Sequence, residues 1–300
     1  MILGHKKQWE FLTQTADRGK IPHGMLFYGQ EKVGKKTLAI EFFKYINCES
    51  EEKPCNSCRS CRDIEKGTHP DFVIVQPQEG KKEIQISQIR GLIKKLSLRP
   101  YSAGFKMGII DKAHLMSPEA QNCFLKLLEE PKGKAVLVLV TEYPETLLPT
   151  IISRVEKLRF SLVDPKKIEK YLKDHEASEI EDILTFSLGR PGVAIDCISD
   201  PETFSQQKKL VSDLKDLIKS DNAKRFKYAA SQESLNLLLD VWLRYLRKNF
   251  LLKIKGEEAD LKYSTEKLKK IIKLTQTTNF LISTTNINQK LAFENLLIKL

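Results

Sequence analysis

The sequence predicts a parallel α/β sheet domain at the amino end, followed by helices alone. Three observations lead there. Apolar strand-like runs alternate with helix-period segments over the first 160 residues, strand signals fade from about residue 163, and a glycine-bearing loop joins the first strand candidate to its helix. Alternation of this kind gives a parallel sheet with helices on both faces.

GMLFYG (24–29) is a short apolar run ending in glycine. KKTLAIEFFKYI (35–46) follows, with Leu38, Phe42, Phe43 and Ile46 at helical spacing. DFVIVQP (71–77), FKMGIID (105–111) and VLVLVT (136–141) are further strand candidates, and VEKLRF (155–160) is a fifth. VLVLVT does not alternate, as expected of a strand covered on both faces. SPEAQNCFLKLLEEP (117–131) reads as a helix: Ser117 can cap it, Pro118 suits its first position, and Pro131 ends it. Ala120, Cys123, Phe124, Leu127 and Leu128 form its apolar stripe, which places Cys123 in the core. The expected domains are 1–162 for the sheet, 163–202 for a small helical unit and 203–300 for amphipathic helices such as SLNLLLDVWLRYLRKNFLLKI (234–254). The second boundary, near Asp200–Pro201, is the softer one.

With 41% hydrophobic and 30% charged residues in 300, the composition is that of a soluble globular protein. There is no apolar run of about 18 residues to span a membrane. MILGHKKQWE lacks the apolar core of a signal peptide, so the expected compartment is the cytoplasm. The net charge of +11 suits a polyanionic partner, and residues 201–300 hold 19 Lys and Arg against 11 Asp and Glu. Charge alone leaves two readings open, DNA contact and lysine-rich solvated helix faces.

GQEKVGKKT (29–37) matches the phosphate-loop pattern at Gly29, Gly34 and Lys35. Glycines let backbone N–H groups turn toward phosphate, and the lysine reaches the terminal phosphates. The next position calls for a hydroxyl to hold Mg²⁺; here it is Lys36, with Thr37 one residue late. IIDKAH (109–114) ends the third strand candidate with Asp111, where a metal-steering carboxylate belongs, but Lys112 follows in place of a water-activating glutamate. A protonated lysine is no general base at neutral pH. ATP binding is left open by these residues, while hydrolysis is disfavoured.

Cys48, Cys55, Cys58 and Cys61 are spaced C-x6-C-x2-C-x2-C within a polar stretch. Four thiolates satisfy tetrahedral Zn²⁺, and such a metal would give the stretch its fold. The site is expected to be structural, since protein fills all four ligand places. Free surface thiols are the alternative. Cys197 has no assignable role.

Taken together, IPHGMLFYGQEKVGKKT (21–37), the four-cysteine insertion, AHLMSPEAQNCFLKLLEEP (113–131), TIISR (150–154) and NINQKLAFENLLIKL (286–300) resemble the bacterial clamp-loader ATPases. The resemblance is strongest over 1–162. It implies an AAA+ five-stranded parallel sheet with flanking helices, a small helical lid and an all-α collar. It also implies partnership with gamma/tau motor subunits, a delta subunit, the sliding clamp and primed DNA. Delta-prime subunits lose the metal and water positions and keep the Ser-Arg pair, the pattern seen here. Arg154 would then be an arginine finger offered in trans to a neighbour's ATP; the alternative is pairing with a carboxylate such as Glu156. The sensor-one place falls at Thr141, which could instead cap a strand end. The sensor-two place falls at Gly192, with Arg190 offset by two.

The favoured function is a non-motor clamp-loader subunit in DNA replication. The alternatives are an active motor of the gamma/tau type and a zinc-containing nucleic-acid binding protein. The basic excess lies far along the chain from the cysteines, which disfavours the last.

Overall fold

A computed structural model describes residues 2–98, 100–101, 104–130, 133–232, 235–285 and 287–300. Pro131, Ser234 and Asn286, to which the sequence assigns a helix stop and two motif starts, lie outside the described residues. The chain forms two compact units, the first ending at Val163 and the second beginning at Asp164.

In the first unit the order is α1 (Lys6–Asp17), β1 (Gly24–Tyr28), α2 (Lys35–Asn47), α3 (Arg59–Glu65), β2 (Phe72–Val75), α4 (Ile86–Ser97), β3 (Lys106–Ile110), α5 (Pro118–Glu129), β4 (Ala135–Thr141), α6 (Pro149–Ile152) and β5 (Glu156–Arg159). The strands form one sheet in the order β2-β3-β4-β1-β5. Every pairing is parallel. Each strand candidate of the sequence is therefore a strand of this sheet.

β4 is central and buried throughout. Its side chains alternate between two cores: Leu137 and Leu139 join Ile89, Leu92, Phe124 and Leu127 of α4 and α5 on one face. Val136, Val138 and Val140 join Leu12, Leu38, Phe42, Phe43 and Ile64 of α1, α2 and α3 on the other. This two-sided burial explains the unbroken apolar run. Gly108 in β3 lets α4 come close, because a Cβ there would sit 2.9 Å from Leu92 Cδ1.

α5 begins as read: Ser117 Oγ accepts the Ala120 N–H at 3.2 Å and Pro118 takes the first turn. Cys123 is a correction. It packs against the core cluster but is only half-buried, at the margin of the stripe set by Ala120, Phe124 and Leu127.

The second unit is helical: α7 (Pro165–Asp174), α8 (Ile180–Ser187), α9 (Pro191–Ser199), α10 (Pro201–Ile218), α11 (Asn222–Ala230), α12 (Leu235–Lys255), α13 (Thr265–Thr284) and α14 (Gln289–Ile298). Trp242 of α12 is fully buried among Leu214, Leu239, Leu246, Leu268 and Phe293. Its indole N–H donates to Leu210 O at 2.8 Å. Asp200 closes α9 and caps α10, accepting Thr203 N–H at 3.0 Å, so the chain turns there from one helix directly into the next. Cys197 is buried in α9. Among the described residues no helix is long and apolar enough to cross a membrane.

Candidate functional site

The phosphate-type loop leaves the carboxyl end of β1, the end at which parallel α/β sheets place their ligands. Gly29 has φ 144°, and a Cβ there would lie 2.2 Å from Phe160 O, so only glycine fits. Gly34, at φ 103°, turns the chain into α2. Lys35 is buried, and its ammonium donates to Gly29 O at 2.7 Å and Gln30 O at 2.5 Å, bracing the loop's own backbone. His5, which no sequence signal marked, supports the loop from outside. Its Nε2 bonds Val33 O at 2.8 Å and its ring packs on Phe160 at 4.7 Å.

Both lysines at the metal and water positions are ion-paired within the site. Lys36 Nζ is 3.0 Å from Asp111 Oδ2. Lys112, in a left-handed conformation at φ 55°, reaches Glu31 of the loop at 3.3 Å. Thr37 is exposed one position further round α2 and does not replace the missing hydroxyl. The fold thus gathers Gly29, Gly34, Lys35, Lys36 and Asp111, and leaves Thr37 aside.

Thr141 ends β4 fully buried. Its hydroxyl accepts Tyr143 N–H at 3.0 Å and bonds His114 Nδ1 at 3.1 Å, which is a strand-end cap. Burial first, then the positive charges of Lys112 and Lys35, push the His114 pKa down to about 4, against an opposing pull from Asp111.

The four cysteines converge, all Sγ atoms lying within 4.8 Å of one another. Tetrahedral Zn–S bonds of about 2.3 Å would set the sulfurs roughly 3.8 Å apart. Cys48 caps the end of α2, Cys58 caps the start of α3, and Cys61 lies in its first turn. Backbone N–H groups already point at the sulfurs: Cys55 N to Cys48 Sγ at 3.4 Å, Cys58 N to Cys55 Sγ at 3.3 Å and Cys61 N to Cys58 Sγ at 3.4 Å. Such bonds favour thiolates. The Ser57 hydroxyl foremost, then the backbone N–H groups of Ser57 and Cys58, lower the Cys55 pKa to about 6, whereas burial raises that of Cys61. The residues present fit a structural zinc-type ion, and Cys48, Cys55, Cys58 and Cys61 would hold it.

Arg154 follows α6. Its carbonyl oxygen lies 3.6 Å from where a Cβ on Gly24 would stand, at the amino end of β1. β1 spans five residues, so its first and last Cα atoms are about 13 Å apart, with the phosphate-type loop at the far end. The Arg154 guanidinium is half-exposed, donating to Thr150 O at 3.1 Å and pairing with Glu129 at 3.1 Å. The neighbouring carboxylate is therefore Glu129 of α5 rather than Glu156. Arg190 is buried in the second unit, its Nη1 2.7 Å from Asp240 Oδ1, and Gly192 sits in α9.

A sequence model of the family described as "DNA polymerase III, delta subunit" matches residues 4–164, over half of the chain. The chain is 38% identical over 170 residues to DNA polymerase III subunit delta' of Bacillus subtilis, covering 56% of this chain and 51% of that protein. It is 30% identical over 217 residues to the delta' subunit of Pseudomonas aeruginosa, covering 70% and 66%. A Buchnera aphidicola gamma subunit matches at 30% over 174 residues, covering 57% and 47%. The matches thus span about half to two thirds of the first two relatives' length. Among solved structures, a gamma-subunit-related protein of Thermotoga maritima superposes with a TM-score of 0.50 at 20% identity over 97% of each chain, a likeness of fold. With its five-stranded sheet, its phosphate-type loop and a family match over residues 4–164, this chain belongs to the delta and delta-prime family of AAA+ DNA polymerase III clamp-loader subunits.

Proposed function

We propose that the chain is a non-motor subunit of a bacterial clamp loader, which completes a ring with gamma/tau motors and a delta subunit and supports loading of the sliding clamp onto primed DNA. The observation that carries this reading is the Lys36–Asp111 ion pair at 3.0 Å. An active site of this type holds Mg²⁺ between the hydroxyl after the loop lysine and the strand-end carboxylate. Here an ammonium from the hydroxyl position covers that carboxylate. Lys112, where a glutamate would activate water, adds further positive charge and cannot act as base. Binding of ATP in the loop is a separate matter, which Gly29, Gly34 and Lys35 leave possible.

Arg154 is the chemically active residue of the proposal. Its place at the opposite end of β1 from its own loop favours action on a neighbour's nucleotide over action in its own site. In this reading residues 163–202, built on α7–α9, are the lid, and residues 203–300, built on α10–α14, are the collar through which the ring assembles, with α10 itself starting slightly earlier at Pro201. A second reading, a motor of the gamma/tau type, draws on the matches to gamma and tau subunits. Steady-state ATPase assays decide between them. The proposal expects background turnover from the isolated chain, and hydrolysis with clamp loading once motor and delta subunits are added. Motor-like turnover by the isolated chain, abolished by Lys35→Ala, would establish the second reading.

A further inference from the structure

α2 carries the phosphate-type loop at one end and Cys48 at the other. Four residues before Cys48, Lys44 is buried, its side chain only 3% exposed. Its ammonium donates to Glu41 on the same helix at 2.9 Å and to Asn56 Oδ1 at 3.3 Å, and it pairs with Glu65. Asn56 stands between Cys55 and Cys58, and Glu65 ends α3, the helix that holds Cys61. One buried cation therefore ties α2 to both segments that carry the remaining cysteines. A buried ammonium stripped of its partners is strongly unfavourable, so those partners are held in place by it. Residues 49–57 are polar and offer no apolar anchor of their own, which leaves this tie, the cysteines and buried Ile64 to set the loop's position.

We propose that Lys44 is a positioning residue for the metal centre: it holds Asn56 and Glu65 so that the four sulfurs stay convergent, and thereby sets how firmly zinc is retained. Groups that orient ligands without touching the metal commonly account for about 10- to 100-fold in metal affinity. The inference rests on occupancy by zinc and is independent of the clamp-loader reading.

The test uses the full chain purified with zinc, following metal release to a chromophoric chelator. Lys44→Met should release zinc about 10- to 100-fold faster than wild type. The Co²⁺-substituted variant should keep its thiolate charge-transfer band, because all four ligands remain. A second variant, Asn56→Gly with Glu65→Gln, keeps Lys44 paired with Glu41 and should also release zinc faster. Glycine suits position 56 because Asn56 has φ 55°. A merely structural lysine would lower the melting temperatures of the zinc-loaded and zinc-free proteins alike. A positioning lysine shrinks the gap between them. Should Lys44→Met fail to fold, the double variant decides alone. Wild-type release rates in the folded variants overturn the role of Lys44. Absence of zinc from the wild-type protein overturns the metal centre together with it.

Discussion

Lys36 Nζ lies 3.0 Å from Asp111 Oδ2, joining the first turn of the phosphate-loop helix to the end of β3. Asp111 also accepts the Lys112 N–H through its other oxygen at 3.1 Å. Both carboxylate oxygens are therefore engaged, and the Lys36 ammonium is a group that an active motor does not place there. The isolated chain should hydrolyse ATP at background rate in Mg²⁺, and Lys35→Ala should change that rate little. A coupled-enzyme assay checks both. Turnover of about 1 s⁻¹ or more, within the ordinary range of enzymes, would contradict the expectation.

The metal module offers a second test. Cys58 both faces the metal position and caps α3 through its Sγ, which accepts Cys61 N–H at 3.4 Å. Cys58→Ser keeps a capping atom and removes a thiolate ligand, so it separates the two roles. The variant should lose most of its zinc by metal analysis and become protease-sensitive between residues 49 and 65. The parallel sheet should stay folded by far-UV circular dichroism, because its two cores draw only Ile64 from the module's helix.

β1, β3 and β4 were legible in the sequence because burial on both faces writes apolar runs, and α5 because Ser117 and Pro118 mark its start. The phosphate-type loop and the cysteine cluster were legible because local spacing alone specifies them. α3 was not: RSCRDIE is short and polar, and a cysteine ligand caps it. α4 was not, since Gly91 interrupts it and its cap is Gln85. Nor were the inward-turned polar residues His5, Lys44, Lys106 and His114, of which the two lysines are buried and the two histidines partly so. Each of these has a polar partner distant in sequence: Val33, Glu65, Asp71 and Thr141 respectively. The carboxylate beside Arg154 was misassigned for the same reason, as Glu156 is near in sequence but Glu129 is near in space.

His114 supplies a pH prediction. Its pKa is about 4 in the folded chain against an ordinary 6.5. Above pH 6.5 it is neutral in both states and contributes no pH dependence. As pH falls from 6.5 toward 4, the unfolded chain takes up a proton that the folded chain refuses, so stability declines. The shift corresponds to about 3 kcal/mol by pH 4. Urea unfolding at pH 7 and pH 4.5 should show this loss, and His114→Asn should reduce it. An unchanged loss in the variant would assign it to other groups.

In the second unit, Asp240 serves two buried cations: Arg190 at 2.7 Å and Arg244 at 3.3 Å. Arg244 also donates to Phe186 O at 3.1 Å and Gln207 Oε1 at 3.3 Å. Asp240→Ala would leave two buried guanidinium groups short of their counter-charge, at a cost of about 3–5 kcal/mol. Asp240→Asn keeps an acceptor and should cost less. Chemical denaturation of both variants measures the difference, and an Asp240→Ala protein as stable as wild type would show that Arg190 and Arg244 are adequately served by other partners.

Arg154 is where the proposed function is most exposed to disproof. Its guanidinium is held by Thr150 O and Glu129 on the exposed margin of the first unit. An exposed pair of this kind contributes about 0–1 kcal/mol, so Arg154→Ala should leave the subunit folded, with a melting temperature close to wild type. Assembly with motor and delta subunits should also persist. A guanidinium has a fixed charge and a planar fork of donors that match the oxygens of a transferring phosphoryl group. In other phosphoryl-transfer systems a finger supplied in trans accounts for about 10³–10⁵ in rate. Hydrolysis at the one motor site facing this subunit should therefore fall steeply, and clamp loading should slow with it. Other sites in the ring keep their own fingers, so total ATPase activity should fall only in part. Arg154→Lys should restore little, because lysine keeps the charge and loses the fork. Single-turnover hydrolysis and clamp-loading rates in the reconstituted complex provide the measurement. An Arg154→Ala complex that assembles and loads clamps at the wild-type rate would leave Arg154 as a surface partner of Glu129 and remove the finger from the proposal.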